Sequence, residues 1–213
     1  MIYVSPSILS ADFTEMKKAI VSCEQNGADW IHCDVMDGKF VPNITFGQKM
    51  VADINKITEM FLDVHLMIDE PITYVKEFAA AGADLITFHV EATQKVEETI
   101  DAIKSCGVKC GLSVKPGTPI EAVYPYLDKL DMVLVMSVEP GFSGQKFMPV
   151  SIDKVRAVKE RKPSVLVQVD GGINAETYKS VVEVGADSVV MGNAFFKNEN
   201  APALVAEIKS FAK

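Results

Sequence analysis

The chain contains three histidines, His32, His65 and His89, and each lies at the end of a short apolar run. Imidazole exchanges protons near neutral pH and is also a common metal ligand. Aspartates accompany two of the histidines, because Asp34 is two residues after His32 and Asp63 is two residues before His65. Side chains two residues apart on a strand point to the same side. The spacing therefore predicts a polar site at the ends of strands.

Four polar residues are expected to point into one space, because each lies on the inward side of a strand near its end: His32, Asp34, His65 and Asp170. Two imidazoles and two carboxylates form a suitable ligand set for a divalent transition metal. Each residue alone is more typical of a hydrogen-bonding histidine or a helix-capping aspartate, and only the four together favour a metal site. His89, with Glu91 beside it, is interpreted as a structural hydrogen-bonding residue.

Glycine-rich segments follow three of the later apolar runs. They contain Gly141-Phe142-Ser143-Gly144, Gly171-Gly172 and Gly192-Asn193. A phosphate held by main-chain N–H groups needs a close approach of the backbone, which glycine permits. Barrel enzymes commonly place such a site after strands seven and eight. The three segments together predict a phosphate site.

Three methionines, Met36, Met67 and Met136, also fall near the ends of apolar runs. Methionine is a flexible apolar side chain that fills irregular gaps in a core. The sequence leaves two interpretations open: the three residues fill the core, or they form an apolar lid over the metal.

Short apolar runs alternate with longer amphipathic segments along the whole chain. Eight runs rich in Val, Ile and Leu predict strands covered on both faces, at 3–9, 30–35, 61–67, 85–90, 109–114, 132–137, 165–170 and 188–191. Helical patterns between them include 13–25, 71–81, 96–106, 151–161 and 175–184.

Gly-Ala-Asp recurs at 27–29, 82–84 and 185–187, each time between a helix and the next strand. Glycine suits this position because the chain leaves the helix in a left-handed conformation. The recurrence predicts an α/β fold built from a repeated unit, a TIM (β/α)8 barrel in one domain over residues 1–213. A doubly wound open sheet is the alternative, although no G-x-G-x-x-G follows the first strand.

Composition narrows the class of protein. With Lys+Arg 21 against Asp+Glu 29, the net charge is −8, and no basic cluster is present, so nucleic acid is not an expected partner. No uncharged apolar run reaches the roughly 18 residues that span a membrane. The first residues lack the basic and long apolar regions of a signal peptide, and the four cysteines form no C-x-x-C pair. We therefore expect a cytoplasmic protein.

The chain resembles ribulose-phosphate 3-epimerases over nearly its whole length. The matching segments, in order, are Ser5-Pro6-Ser7-Ile8-Leu9-Ser10-Ala11-Asp12, His32-Cys33-Asp34-Val35-Met36-Asp37-Gly38, Phe40-Val41-Pro42-Asn43, Asp63-Val64-His65-Leu66-Met67, Met136-Ser137-Val138-Glu139-Pro140-Gly141-Phe142 and Val169-Asp170-Gly171-Gly172-Ile173. The resemblance implies a metal-dependent TIM barrel that interconverts D-ribulose 5-phosphate and D-xylulose 5-phosphate through an enediolate, as part of the pentose phosphate pathway.

The resemblance also implies roles for individual residues. The metal ligands would be His32, Asp34, His65 and Asp170, and the two aspartates would be the acid–base pair. Substrate and phosphate contacts would come from Ser7, His65, Gly141, Phe142, Ser143, Gly144, Asp170, Gly171, Gly172, Gly192 and Asn193. One divalent ion per subunit is implied, with zinc favoured over Fe(II), Mn(II) or Co(II), in a homo-oligomer. Departures from the family pattern are small: Cys33, Ser143 and Asn193.

Three other functions compete with this interpretation. An epimerase for D-allulose 6-phosphate would use the same chemistry on a longer sugar, but the segments 5–12 and 138–145 look more like the pentose enzyme. A barrel decarboxylase would carry D-x-K-x-x-D on the third strand, whereas this chain has Asp63-Val64-His65-Leu66-Met67-Ile68. A sugar-phosphate sensor without activity would be expected to lack Asp34 or Asp170, and both are present.

Overall fold

The computed structural model describes residues 2–211. Eight parallel strands form one sheet: β1 Tyr3–Pro6, β2 Trp30–Met36, β3 Phe61–Met67, β4 Leu85–His89, β5 Lys109–Val114, β6 Met132–Met136, β7 Leu166–Asp170 and β8 Ser188–Met191. Each strand from β2 to β7 pairs with the next along the chain, and β8 pairs with β1. Among the described residues, one parallel bridge between Ser7 and His32 joins the end of β1 to β2. The sheet is therefore a nearly closed TIM barrel, which confirms the expected fold class and excludes the open sheet.

Eight α-helices are found within residues 2–211: α1 Met16–Gln25, α2 Gln48–Asn55, α3 Val75–Ala80, α4 Val96–Ser105, α5 Val150–Arg161, α6 Tyr178–Val182, α7 Asn193–Phe196 and α8 Ala201–Ser210. A 3₁₀ segment, Ile120–Lys129, takes the place of an α-helix between β5 and β6. Pro125 lies inside that segment and has no N–H to donate, which disfavours a regular α-helix there.

The ends of several elements differ from the sequence-based prediction. The first strand ends at Pro6 rather than at residue 9, because the side chain of Ser7 accepts the N–H of Leu9 and starts a 3₁₀ turn, Ile8–Ser10. The helices expected from residues 13 and 71 begin with 3₁₀ turns, Phe13–Glu15 and Pro71–Thr73. Side-chain caps, from Ser7 and Asp12, start the turns at residues 8 and 13, and such caps compete with regular elements at their ends.

A repeated aspartate contact joins the strands in pairs at the N-terminal end of the barrel. Asp29, directly before β2, accepts the N–H of Val4 through its side chain and donates its own N–H to the Val4 carbonyl. The same two hydrogen bonds occur in three further pairs: Asp84 with Leu62, Asp131 with Cys110 and Asp187 with Val167. Each aspartate precedes an even-numbered strand and holds the second residue of the odd-numbered strand before it. The Gly-Ala-Asp recurrence therefore reflects a structural repeat.

The barrel interior changes from apolar to polar along its axis. Near the N-terminal ends of the strands, the interior is filled by Tyr3, Trp30, Phe61, Leu85, Met132 and Leu166. The next layer is mostly polar, and its polar members are fully buried: Ser5, His32, Asp63, Thr87, Gln168 and Ser188. Outward-facing residues such as Val4, Ile31 and Val64 pack against the helices.

In the described part of the chain, no helix is long and apolar enough to cross a membrane.

Candidate active site

Four side chains converge at the C-terminal end of the barrel, as the alternation along the strands predicts. One donor atom from each of His32, Asp34, His65 and Asp170 lies within 4.8 Å of all the others. Asp34 Oδ1 is 3.2 Å from His32 Nε2 and 3.1 Å from His65 Nδ1, and Asp170 Oδ2 is 3.8 Å from both nitrogens. Ligand bonds of about 2.0 to 2.2 Å bring neighbouring donors to within about 3 to 3.5 Å of one another. The spacing therefore fits the coordination of one metal ion.

His32 is oriented by the polar layer beneath it. Its Nδ1 is 2.7 Å from Asp63 Oδ2, and a carboxylate accepts, so Nδ1 carries a hydrogen. Asp63 Oδ2 also accepts from Gln168 Nε2 at 2.7 Å. The other ring nitrogen, Nε2, is buried and makes no well-directed hydrogen bond within residues 2–211, although Asp34 Oδ1 is close. A buried polar atom without a partner is costly, and a cation at this point would satisfy it.

The pKa values of the two aspartates in the cluster are shifted in opposite directions. Burial would raise the pKa of Asp34, but the rings of His32 and His65 outweigh it and hold that pKa well below its usual range. Burial, with the charge of Asp34 added, raises the pKa of Asp170 to about 6. Paired carboxyl groups with divergent pKa values are typical of an acid and a base that act together.

The pKa values of His32 and His89 are also shifted in opposite directions. Burial would lower the pKa of His32, but the carboxylates of Asp34 and Asp63 outweigh it and raise that pKa well above its usual value. Burial lowers the pKa of His89 to about 4, so that this ring is neutral at pH 7.

A cleft of about 390 Å³ opens above the cluster. It is lined by Asp34 and Asp170 and by all the other residues for which sequence reasoning predicted substrate, phosphate or lid contacts, apart from His65: Ser7, Met36, Met67, Met136, Gly141, Phe142, Ser143, Gly144, Gly171, Gly172, Gly192 and Asn193. His32 and His65 are fully buried beneath it. A cleft of this size suits a small ligand.

The glycines of the cleft permit close contacts between loops. Gly172 has φ +65°, and a Cβ there would lie 2.5 Å from the Phe147 nitrogen. A Cβ on Gly192 would lie 2.5 Å from Ser10 Oγ. The side chain of Ser137 donates to the carbonyls of residues 170 and 171, and Thr177 Oγ1 donates to that of Gly172, so this loop is firmly held.

The cleft wall carries little positive charge. Among the described residues, neither lysine nor arginine lines it. An anionic group bound here would depend on main-chain N–H groups, such as those at the start of α7, rather than on basic side chains.

The three methionines Met36, Met67 and Met136 form part of the cleft wall. Met36 and Met67 pack with Val41 in a small apolar group, and Leu9 and Phe40 contact it. Met136 belongs to the interior apolar cluster that includes Leu134 and Val138. All three side chains are buried and line the cleft.

Sequence reasoning missed several residues of the site. Asp63 was recognised only as a neighbour of His65 on its strand, yet it lies opposite His32 in the register of β2 and β3. Ser10 and Asn174 line the cleft, and Asn43 donates to the carbonyl of Gly141, which ties the β2 loop to the β6 loop. The register between strands is the signal that would have connected Asp63 to His32.

Another contact involves the third histidine. His89 is not among the four residues of the cluster, but its Nε2 is 2.9 Å from Nε2 of His65, and its Nδ1 is 3.3 Å from Glu91 Oε2. Burial would raise the pKa of Glu91, but its hydrogen bond with His89 outweighs this and the pKa falls to about 2.

Comparison with solved structures finds the same fold in other proteins. KGPDC from Streptococcus mutans is 18% identical, with a TM-score of 0.76 over 98% of this chain and 98% of that chain. A mutant tryptophan synthase alpha-subunit from Pyrococcus furiosus is 16% identical, with a TM-score of 0.70 over 98% and 94%. At such low identity the likeness concerns the fold alone. The barrel, with polar residues at its C-terminal mouth, has the architecture of the TIM-barrel class, in which active sites lie at that end.

Comparison of sequences is more specific. The profile described as the ribulose-phosphate 3 epimerase family matches residues 3–196. "Ribulose-phosphate 3-epimerase" of Bacillus subtilis is 45% identical over 98% of this chain and 99% of its own length, and that of Mycobacterium tuberculosis is 46% identical over 97% and 91%. A relative from Oryza sativa, the "cytoplasmic isoform", is 43% identical over 91% and 86%. The chain belongs to the ribulose-phosphate 3-epimerase family, which confirms the resemblance and the expectation of an isomerase.

Proposed function

We propose that this protein epimerises C3 of D-ribulose 5-phosphate to give D-xylulose 5-phosphate, through an enediolate and with two aspartates as acid and base, in the pentose phosphate pathway. The observation that carries the proposal is the pair Asp34 and Asp170. Their carboxyl groups reach one cleft from β2 and β7, and their pKa values are shifted in opposite directions.

Two carboxyl groups are what an inversion at C3 requires. A proton next to the C2 carbonyl must leave one face of the sugar, and another must arrive at the opposite face. One carboxylate alone would return the proton to the face it came from. Asp34, ionised in the metal-free site, is suited to remove a proton, and Asp170, with its higher pKa, is suited to deliver one. The roles exchange in the reverse reaction.

The proposed cation ligands are His32, Asp34, His65 and Asp170. A divalent cation bound by these residues would supply Lewis-acid stabilisation of the negative charge that develops when the proton next to the carbonyl is removed. The two-imidazole, two-carboxylate set suits zinc, which we favour, and also Fe(II), Mn(II) and Co(II). Asp63 and Ser7 hold the ligands in place, because Asp63 accepts from His32 and Ser7 Oγ donates to Asp34.

The rest of the cleft is proposed to hold the substrate. The segments 141–144, 171–172 and 192–193 would bind the phosphate through main-chain N–H groups, and Ser7 would contact the sugar. Met36, Met67 and Met136 would exclude water from the reacting carbons, because their side chains are apolar and buried beside the ligands. Exclusion of water strengthens electrostatic interactions within the site.

The setting of the enzyme is proposed on more general grounds. We favour one domain over residues 1–213, a homo-oligomer, and a cytoplasmic location, the last supported by the name of the rice relative. The net charge of −8 argues against a nucleic-acid partner. Analytical ultracentrifugation of the purified protein would test the oligomeric state.

Substitution of each aspartate tests the mechanism. Asp34→Asn and Asp170→Asn are each expected to reduce turnover of D-ribulose 5-phosphate by roughly 10²- to 10⁴-fold or more. Both variants keep an oxygen ligand, and the cation content of each should be measured beside the rate. Asp131→Asn, at the opposite end of the barrel, is the matched control and should keep its activity. Full activity in either active-site variant would contradict the proposal.

Substrate choice is tested separately. Turnover of D-ribulose 5-phosphate and of D-allulose 6-phosphate should be compared at equal concentrations, with the cation fully loaded. We expect a strong preference for the pentose phosphate, and a preference for the hexose phosphate would overturn the assignment while leaving the chemistry intact.

A further inference from the structure

The buried contact between His65 and His89 has a defined direction. The two Nε2 atoms are 2.9 Å apart, whereas the ring centroids are 5.0 Å apart and the ring planes are inclined by only 27°. The nitrogens therefore lie between the two rings, as an in-plane hydrogen bond requires. One nitrogen must carry the hydrogen and the other the lone pair.

Glu91 decides which nitrogen carries the hydrogen. Its ionised carboxylate accepts only, so His89 must present Nδ1–H to Glu91 Oε2. A neutral His89 then has its lone pair on Nε2, and His65 must donate from its own Nε2. With Nε2 carrying the hydrogen of this bond, Nδ1 is the nitrogen of His65 that is left to ligate a cation, and it lies 3.1 Å from Asp34 Oδ1 within the cluster.

Glu91 is itself held from the side away from His89. Its Oε1 accepts the main-chain N–H of Lys115 at 2.8 Å. The segment after Lys115 is fixed by the side chain of Lys154, whose Nζ donates to the carbonyls of Lys115, Pro116 and Thr118 at 2.6 to 2.8 Å. The carboxylate is thus anchored to a rigid loop before it meets the histidine.

Packing adds to this arrangement. His89 is fully buried, and the ring of Phe40 lies against it with a centroid separation of 4.9 Å. Lys115 Nζ covers the Phe40 ring at 3.9 Å from its centroid. Neither His89 nor Glu91 takes part in the proposed proton transfers, so their arrangement needs another explanation.

We infer that Glu91 and His89 are positioning residues that hold His65 in the tautomer and orientation needed to ligate a divalent cation. The inference rests on the proposed function, because it concerns the same cation site. Partners that orient a ligating histidine typically change metal affinity by roughly 10- to 100-fold when they are removed.

Glu91→Gln is the sharpest test, because it reverses the direction of the hydrogen bonds from Glu91 through His89 to His65 and hardly changes the volume of the side chain. The N–H of Lys115 holds the amide oxygen of the new side chain, so its NH₂ group faces His89 Nδ1. His89 must then accept at Nδ1 and carry its hydrogen on Nε2, which opposes donation by His65. We expect the affinity for Zn²⁺, measured by competition with a chromogenic chelator, to fall roughly 10- to 100-fold.

Two substitutions of His89 complete the test. His89→Leu removes the acceptor and should weaken Zn²⁺ binding to a similar degree. His89→Gln can keep an acceptor near the former Nε2 position and should restore most of the affinity. Nitrogen-15 NMR of the zinc-loaded wild type should show the hydrogen on Nδ1 of His89, and Glu91→Gln should shift it toward Nε2. A purely structural role would leave this tautomer unchanged.

Glu207→Gln is the matched control, since Glu207 accepts from the Tyr178 hydroxyl far from the cluster, and its Zn²⁺ affinity should equal that of the wild type. An affinity of Glu91→Gln within about twofold of the wild type would overturn the inference and leave the proposed function standing. An equal loss of Zn²⁺ affinity in Glu207→Gln would also overturn the inference. A wild-type protein that fails to bind Zn²⁺ or any other divalent cation would instead overturn the metal-dependent function itself.

Discussion

His32 and Asp63 lie opposite each other in the register of neighbouring strands, and His32 Nδ1 donates to Asp63 Oδ2 across 2.7 Å. Asp63 is fully buried and takes no part in the proposed ligand set. In the proposed cation site its carboxylate would make His32 a better ligand, because it fixes the hydrogen on the nitrogen that faces away from the cluster.

Asp63→Asn is therefore expected to weaken binding of a divalent cation by roughly 10- to 100-fold, as the loss of such an outer partner usually does. The substitution removes a charge and hardly changes the volume. Chelator competition measures the affinity. Asp84→Asn serves as the control, because Asp84 accepts the N–H of Leu62 at the far end of the barrel, and its loss should reduce stability alone. Equal affinity in the two variants would argue against this role of Asp63.

Cation affinity should fall as the pH falls. The raised pKa of His32 means that its ring carries a proton in the metal-free protein at neutral pH, and that proton must leave before Nε2 can ligate. The affinity should drop about tenfold per pH unit for each proton displaced. Below about pH 6, where Asp170 is also protonated, the dependence should steepen. Calorimetry in buffers of different ionisation enthalpy counts the released protons, and an affinity independent of pH would contradict this prediction.

Gly172→Ala should disturb the proposed phosphate loop. The positive φ and the 2.5 Å approach to the Phe147 nitrogen leave no room for a methyl group. We expect a loss of about 1 to 3 kcal/mol in the free energy of unfolding and a raised KM for the sugar phosphate. Gly117→Ala is the control, because a Cβ there meets nothing within 4 Å. Urea unfolding and steady-state kinetics on both variants test the expectation, and equal behaviour would contradict it.

Gly111→Ala should overpack the barrel interior. A Cβ at Gly111 would overlap Thr87 Oγ1 on the neighbouring strand. Overpacking costs about 1 to 3 kcal/mol in a well-packed core. Thr87→Ala removes the nearest atom, so the double variant should be more stable than the sum of the two single effects predicts. Thermal or urea unfolding of the four proteins gives the coupling free energy, and strictly additive effects would exclude this contact as the cause.

The barrel and the clustering of His32, Asp34, His65 and Asp170 could be predicted because they depend on local periodicity. Alternation along one strand is enough to place His32 beside Asp34, and the repeated glycine turns indicate a repeated unit. The partners of those ligands depend on how separate strands and loops come together. The contacts of His32 with Asp63 and of His65 with His89 join different strands, and no pattern within one strand contains them.

The ends of strands and helices were harder to predict, because they too depend on contacts outside the local pattern. The apolar run at residues 3–9 continues past Pro6, but the Ser7 side chain bonds to the backbone of Leu9 and ends the strand. The 3₁₀ segment that contains Pro125 likewise depends on one residue that lacks an N–H. Single side-chain contacts of this kind decide where an element stops.

The four aspartate contacts at the base of the barrel divide it into modules of two strands: β1 with β2, β3 with β4, β5 with β6, and β7 with β8. The candidate ligands are spread unevenly over these modules. His32 and Asp34 belong to the first, His65 to the second and Asp170 to the fourth. The first half-barrel thus contains three donors and the second half-barrel contributes one. The four-residue cluster is complete only where the two halves meet, so neither half alone would hold the proposed cation site.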